Sequence, residues 1–278
     1  MYDIIIMNPP YQSKSDRSNT KTQAIWDKFV KLSIDLLNPE GFLAAIHPSK
    51  WRKPDDKTGI PIRSKNLIYL ETHNEKDGMK TFGAETRYDW YLLKNEDYQG
   101  STIILDQDGI QETYDISNMN FIPNAEIDII FNLLAKQGEA SVHLVSGCFH
   151  HTQRTEYMSP DKTKEFCYPC IYVVNAKGQL KLWYSSKPIY GEFLQPKLVF
   201  SNGRISSANY FIDETGEYGL TQFSRGIVDT PDNLKLIYAA MRSDKFKHLM
   251  ESCSMSLLQI DKDVMKTFRK DFWKEFEV

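Results

Sequence analysis

The chain opens on a strand that two prolines stop. Tyr2-Asp3-Ile4-Ile5-Ile6 is a short apolar run, and Ile4, Ile5 and Ile6 form the pattern of a buried sheet strand. Met7-Asn8-Pro9-Pro10-Tyr11 follows at once. Pro9 and Pro10 have fixed φ and no N–H, so neither helix nor strand ladder runs through them and the segment is a stiff loop. A strand ending in such a loop puts it at the carboxyl end of a sheet, where open α/β folds hold ligands. Asn and Pro are also ordinary turn residues. The strand directly ahead is what sets this segment apart from a simple turn.

Met7 to Tyr11, in that setting, resembles the catalytic motif of the amino-methyltransferases that methylate adenine N6 in DNA, the restriction–modification methylases with an Asn-Pro-Pro-Tyr signature. The chemistry the resemblance implies is simple. An exocyclic adenine amine is a poor nucleophile because its lone pair is delocalised into the ring. Two acceptors held at hydrogen-bond distance from its N–H groups localise that pair. Asn8 offers a side-chain oxygen, Pro9 a backbone carbonyl, and Pro10 shapes the loop that aims both. This is positioning plus electrostatics rather than a strong base. The implied methyl donor is S-adenosylmethionine, which Asn8 and Pro9 would border. The target amine is out of reach inside a duplex, so the base is flipped out. Tyr11 offers a flat face for it, worth about 1–3 kcal/mol of stacking per base.

The next segments fit the same resemblance, which covers Met1 to about Asn95. Ala24 to Leu37 has helical spacing, with Ile25, Phe29, Leu32, Ile34 and Leu37 largely on one side. Asn38-Pro39-Glu40-Gly41 reads as a turn, Phe42 to Ile46 as a buried strand, and His47 to Trp51 as a loop. Asn66 to Glu71 reads as another strand. Phe82 to Tyr88, followed by Asp89 to Lys94, is similar to the family's last pair of strands, where an aromatic packs on the flipped base. Phe82 is the candidate for that stacking role, with Tyr88 and Trp90 as competitors. Lys50 and Trp51 are expected to border the DNA cleft.

In the family's usual order a cofactor-binding half precedes the catalytic motif. It needs a strand ending in a Gly-containing loop and an acidic residue closing the next strand. Val145-Ser146-Gly147-Cys148 and Leu198-Val199-Phe200-Ser201-Asn202-Gly203 come nearest, and both lack the acid. Two explanations stand open: a split enzyme whose partner carries the cofactor half, or a truncated product that retains DNA recognition. Either way the strand at Tyr2 is expected to leave a raw sheet edge and uncovered apolar faces, and hence a protein partner or a homo-oligomer completing the cofactor site, or poor solubility.

At 278 residues and 41% hydrophobic, the chain has material for a real core and is not generally disordered. No apolar stretch is long enough to span a bilayer, and Asp3 and the prolines interrupt any signal-peptide layout, so a cytoplasmic setting is the expectation. The net charge of −3 offers no overall basic face for DNA. A local patch exists at Lys50-Trp51-Arg52-Lys53 with Lys57, Arg63 and Lys65. A second, at Lys262, Lys266, Arg269 and Lys270, alternates with acids as solvated helices do. Cys148, Cys167, Cys170 and Cys253 are too few and irregular for a disulfide framework. Cys167-Tyr-Pro-Cys170 has zinc-ligand spacing, with Cys148, His150 and His151 nearby, but one such pair is weak, and reduced structural cysteines with no metal are expected.

Ser101 to Tyr114 reads as a hairpin turning at Asp106–Gly109, Asn118 to Asn124 as a loop, and Ala125 to Lys136 as a helix with a Gly138 stop. Beyond it, Ile171 to Asn175, Gln179 to Tyr184, Lys197 to Phe200 and Tyr210 to Asp213 read as short strands. Asn233 to Met250 reads as a helix and Val264 to Phe276 as a last short one. The expected architecture is α/β: a partial Rossmann-like methyltransferase domain over residues 1–120, then a mixed, mostly β target-recognition domain with C-terminal helices over 121–278. Arg154, Arg204 and Arg225 are the candidate DNA-contacting residues of the second domain. The function expected is site-specific adenine-N6 methylation of double-stranded DNA, or the catalytic and recognition subunit for it. The alternative is a catalytically silent DNA-recognition subunit. These are separated by whether a frame upstream or a neighbouring one encodes the Gly-rich cofactor motif.

Overall fold

The computed structural model describes the chain except residues 16–17, 55, 148, 189–192, 206–207, 256–259 and 277–278. It is a mixed α/β protein of two compact units, Met1–Ile127 and Asp128–Val278.

In the first unit β1 (Tyr2–Met7) is followed by a hairpin of β2 (Gln12–Ser15) and β3 (Ser18–Ala24), then α1 (Trp26–Leu36), β4 (Leu37–Pro48) and a 3-10 turn at Ser49–Arg52. The chain continues through α2 (Gly59–Ser64), β5 (Lys65–His73), α3 (Glu75–Phe82), β6 (Tyr88–Asp97), β7 (Thr102–Leu105) and β8 (Gln111–Tyr114). Six strands form one sheet in the order β1-β4-β6-β5-β7-β8. β1 and β4 are parallel, as are β5 and β7, while β6 runs antiparallel to β4 and β5.

β1 lies at the sheet edge and pairs with β4 alone. The expected buried strand is therefore half right. Ile5 and Met7 turn toward α1, and the Ser33 hydroxyl sits 3.3 Å from the Met7 sulfur. Ile4 and Ile6 are 65% and 81% exposed. An apolar triplet signals two covered faces only when a strand has neighbours on both sides, and here it has one. α1 covers the sheet with Trp26, Val30 and Ser33, spaced along one helix face, and leaves Phe29, Leu32 and Leu36 exposed. The expected turn at Asn38–Gly41 lies inside β4. Glu40 takes a left-handed φ of 62°, and the register with β1 slips between Tyr2 and Ile4, so the surplus residues form an irregularity in a continuous strand.

Phe82 to Tyr88 was expected in strand form, but Phe82 closes a helix. Asn74 caps α3 by accepting from the Asp77 backbone N–H, and Gly83, at a left-handed φ of 67°, ends it. The unit also runs past residue 120. The buried Arg52 guanidinium donates to the carbonyls of Ile122 and Pro123, each at 2.8 Å, and to Asn124 Oδ1 at 2.6 Å. Those contacts hold Phe121–Asn124 in this unit.

The second unit begins within α4 (Ile127–Leu133). β9 (Leu144–Ser146), β10 (Met158–Ser159), β11 (Tyr168–Val174), β12 (Leu180–Ser185), β13 (Lys197–Ser201), β14 (Tyr210–Asp213), β15 (Gly219–Leu220) and β16 (Ser224–Val228) follow. They form two four-stranded sheets, β10-β12-β11-β15 and β14-β13-β16-β9. Ile171, Val174, Val199 and Leu220 make a core between them. Lys197 and Asp213, paired across β13 and β14, form a buried ion pair of 2.6 Å whose carboxylate also accepts the N–H groups of Glu217 and Tyr218. The unit ends in α5 (Pro231–Arg242), α6 (Asp244–Ser252), α7 (Lys262–Met265) and a 3-10 turn at Phe272–Glu275. Asn233–Met250 is thus two helices. Ser243 ends the first and caps the second by accepting from the Phe246 N–H. Residues 264–276 are mostly not regular α-helix.

Candidate active site

The Asn8–Tyr11 loop leaves the carboxyl end of β1. Asn8 and Pro10 are exposed, Pro9 is buried and Tyr11 is half-buried. The Tyr11 carbonyl accepts from the Ile25 N–H at 3.2 Å, which fixes the exit of the loop against the start of α1. The fixed proline backbones leave the Asn8 amide in solvent beside a rigid carbonyl-bearing pair.

Tyr11 meets an aromatic wall from α3 and β6. Its ring is edge-on to Phe82, with centroids 5.8 Å apart and planes at 68°. Phe82 is in turn edge-on to Tyr88 at 4.8 Å and 86°, and Tyr88 stacks flat on His73 at 4.3 Å. These are the geometries that the ring quadrupole favours. The Tyr11 hydroxyl is buried with no hydrogen-bond partner among the described residues. Burial, and secondarily the neighbouring Tyr88, pushes its pKa up to about 12. Tyr11 therefore stays neutral, a flat uncharged face. Of the three aromatics weighed from sequence, Phe82 and Tyr88 join Tyr11, whereas Trp90 packs on Tyr69.

Lys50 is exposed. Trp51 is not at a cleft: it is fully buried, its indole N–H donates to Asp89 at 2.8 Å, and its ring lies against Tyr91. Arg52 is equally buried, and its Nε donates to the same Asp89 oxygen. Desolvation pushes the Asp89 carboxyl upward, against the Arg52 charge and the two hydrogen bonds that favour its ionised form. His47 stacks on Trp26 at 4.5 Å, and its Nε2 lies 3.1 Å from the Tyr91 hydroxyl. This group is the packed back of the sheet, and it removes Trp51 from the DNA-facing residues because its indole is spent on the core.

In the second unit Arg154 and Arg204 are exposed. Arg225 is half-buried, and its guanidinium donates to the Gln222 and Ser224 carbonyls, so it is committed to its own loop. Cys148 lies outside the described residues. Cys167 and Cys170 are free thiols, one exposed and one buried, and no group of three metal-ligating side chains occurs among the described residues. No described helix is long and apolar enough to cross a membrane. Gly147 is a packing glycine, since a Cβ there would lie 2.2 Å from the Leu220 carbonyl oxygen. A donor set for the methyl donor's ribose, a Gly-rich turn followed by an acid, is not assembled by the described residues at either place the sequence offered.

Sequence reasoning missed His73 and Asp77, the two residues behind the wall. The usable signal was Asn74 followed three residues later by Asp77, a helix start that delivers Phe82 to the far end of a short helix.

Comparison with known proteins places the loop in context. The family model described as Eco57I restriction-modification methylase matches residues 1–74. No curated protein sequence matches the chain. Among solved structures, a nuclease-deletion mutant of the Type ISP restriction-modification enzyme LlaGI, in complex with a DNA substrate mimic, is similar at 11% identity. Its TM-score is 0.47, over 94% of this chain and 40% of that one. The Type IIL restriction-modification enzyme MmeI, in complex with DNA, is similar at 8% identity and a TM-score of 0.44, over 86% of this chain and 40% of its own. The Type IIG restriction endonuclease BpuSI matches at 8% identity and a TM-score of 0.38, over 98% and 48% respectively. This chain thus spans less than half of the length of each of these proteins. The first 74 residues, which carry the loop, resemble restriction-modification methylases.

Proposed function

We propose that the chain is the catalytic and target-recognition part of a restriction–modification DNA methyltransferase that moves a methyl group from S-adenosylmethionine to N6 of a flipped adenine. The observation that carries this is the Asn8-Pro9-Pro10-Tyr11 loop at the end of β1 with Tyr11 set against Phe82. The family match over the same segment supports it. Asn8 and the Pro9 carbonyl accept the two amine hydrogens, Pro10 keeps them aimed, and Tyr11 with Phe82 receives the base face. Lys50 and, in the second unit, Arg154 and Arg204 are the exposed cations assigned to DNA. S-adenosylmethionine supplies the electrophilic methyl. Its Gly-rich loop and ribose-binding acid come from a further polypeptide segment that adds to the exposed edge of β1. Tyr2, Ile4 and Ile6 of that edge, with the exposed Phe29, Leu32 and Leu36 of α1, are the apolar surface it covers.

The test is transfer of labelled methyl to DNA by the assembly that the chain forms in its own cells, with nucleoside mass spectrometry of the product. The expected product is N6-methyladenine. Asn8→Ala should cut the rate by about a hundredfold or more, as loss of one preorganised hydrogen-bonding group does, with DNA affinity nearly unchanged. Methylation at cytosine, or an active Asn8→Ala variant, would reject the assignment.

A further inference from the structure

Resting on that reading of the base pocket, we infer that His73, Asp77 and Tyr88 are positioning residues that hold Phe82 at its angle to Tyr11. Phe82 is the last residue of a helix of eight residues, followed by Gly83, Ala84 and Glu85, all exposed. A helix end of this kind frays unless tertiary contacts hold it. The ring beside it, Tyr88, is held from several sides. It stacks on His73 with an interplanar angle of 2°, its hydroxyl donates to Asp77 Oδ2 at 2.5 Å, and the Thr81 hydroxyl lies 3.4 Å from it. His73 in turn has Nδ1 3.0 Å from Asp77 Oδ2 and Nε2 3.2 Å from Glu71 Oε1. The second contact lacks hydrogen-bond geometry. Glu71 accepts from the Tyr69 hydroxyl.

An acid at position 77 suits the first turn of α3, but the Asp77 side chain makes contacts beyond that helix. The side-chain cap is Asn74, and the first turn already holds Glu75, which is paired with Arg87. Asp77 is turned instead to Tyr88 and His73, and so joins the end of β5, the first turn of α3 and the start of β6. Phe82, at the other end of the same helix, rests on the ring that this carboxylate anchors. Charge-assisted hydrogen bonds are the stronger and more directional kind, which is what a positioning contact needs.

The probe is a single-stranded thymidine oligonucleotide carrying one 2-aminopurine, mixed with the full chain. Stacking on Tyr11 and Phe82 quenches the 2-aminopurine, while anisotropy of an end label reports strand binding separately. Tyr88→Phe and Asp77→Ala should cut the quenching reached at saturating chain about five- to tenfold, a fraction of one stacking contact, with the anisotropy midpoint and thermal midpoint little changed. Asp77→Asn, which still accepts from the Tyr88 hydroxyl, should recover most of the loss. Phe82→Ala separates the two claims. If it leaves quenching intact, the pocket reading falls and this inference with it. If it abolishes quenching while Tyr88→Phe and Asp77→Ala do not weaken it, the pocket stands and the positioning role is overturned. Equal loss of quenching, strand binding and thermal midpoint would mean a merely structural role and would also overturn it.

Discussion

The two edges of the six-stranded sheet are built differently. β8 is four residues long, and Gln111, Glu112 and Thr113 along it are exposed and polar. A short edge strand bearing charge discourages further pairing. β1, at the opposite edge, is Tyr-Asp-Ile-Ile-Ile-Met, and Tyr2, Ile4 and Ile6 stand 58%, 65% and 81% exposed. α1, which covers its other face, also shows apolar Phe29, Leu32 and Leu36 to solvent. One edge is short and polar, and the other is apolar and exposed. The loop proposed to activate the amine hangs from the apolar edge, so cofactor and base are expected to meet there.

The largest effect expected from breaking this contrast is in assembly. Ile4→Asp would bury an unpaired charge against whatever adds to β1, which costs about 3–5 kcal/mol, or a hundredfold and more in association. Thr113→Asp on β8 should leave assembly unchanged. Pull-down of the assembly and its methyl transfer rate read both variants, and equal behaviour would remove the distinction between the edges.

A comparable effect, on stability alone, is expected midway between the edges. Asp89 on β6 is the only carboxylate in contact with the buried Arg52 among the ion pairs of the described residues. Asp89→Ala leaves that guanidinium buried without its counter-charge, at a cost of about 3–5 kcal/mol, measurable by urea denaturation. A loss below 1 kcal/mol would show that the carbonyls of Ile122 and Pro123 suffice.

A smaller effect is expected with pH. Burial holds the His47 imidazole down at about 4, against an ordinary 6.5. Between those values the unfolded chain binds a proton that the folded chain refuses, so stability falls as pH falls through the window. The total is about 3 kcal/mol, and it is absent above pH 6.5. Urea midpoints from pH 7 to 4 check it, and His47→Asn should remove that part of the slope. An identical slope in both proteins would place the acid sensitivity elsewhere.

What sequence could read was local. The loop, α1, the β7–β8 hairpin and several strands of the second unit are set by proline chemistry, helical spacing and turn residues within a few positions of each other. Partners distant in the chain were hidden. Ile4 and Ile6 read as buried because three isoleucines in a row say nothing about how many neighbours the strand has. Trp51, between Lys50 and Arg52, read as surface, since its partner Asp89 stands 38 residues away. Phe82 was the candidate from sequence, but its place at the end of a helix, and the joining of Tyr88 rather than Trp90 to Tyr11, rest on contacts between separate elements. Ser243 was overlooked inside an apolar periodicity that carries on through the break.

The measurement that bears most directly on the apolar edge is calorimetric titration of S-adenosylmethionine into the purified 278-residue chain. The account predicts no saturable heat at micromolar cofactor, because the Gly-rich loop and its acid are proposed to come from a segment that adds to β1. Saturable binding at micromolar affinity would contradict it and would mean that these residues build a complete cofactor pocket by themselves.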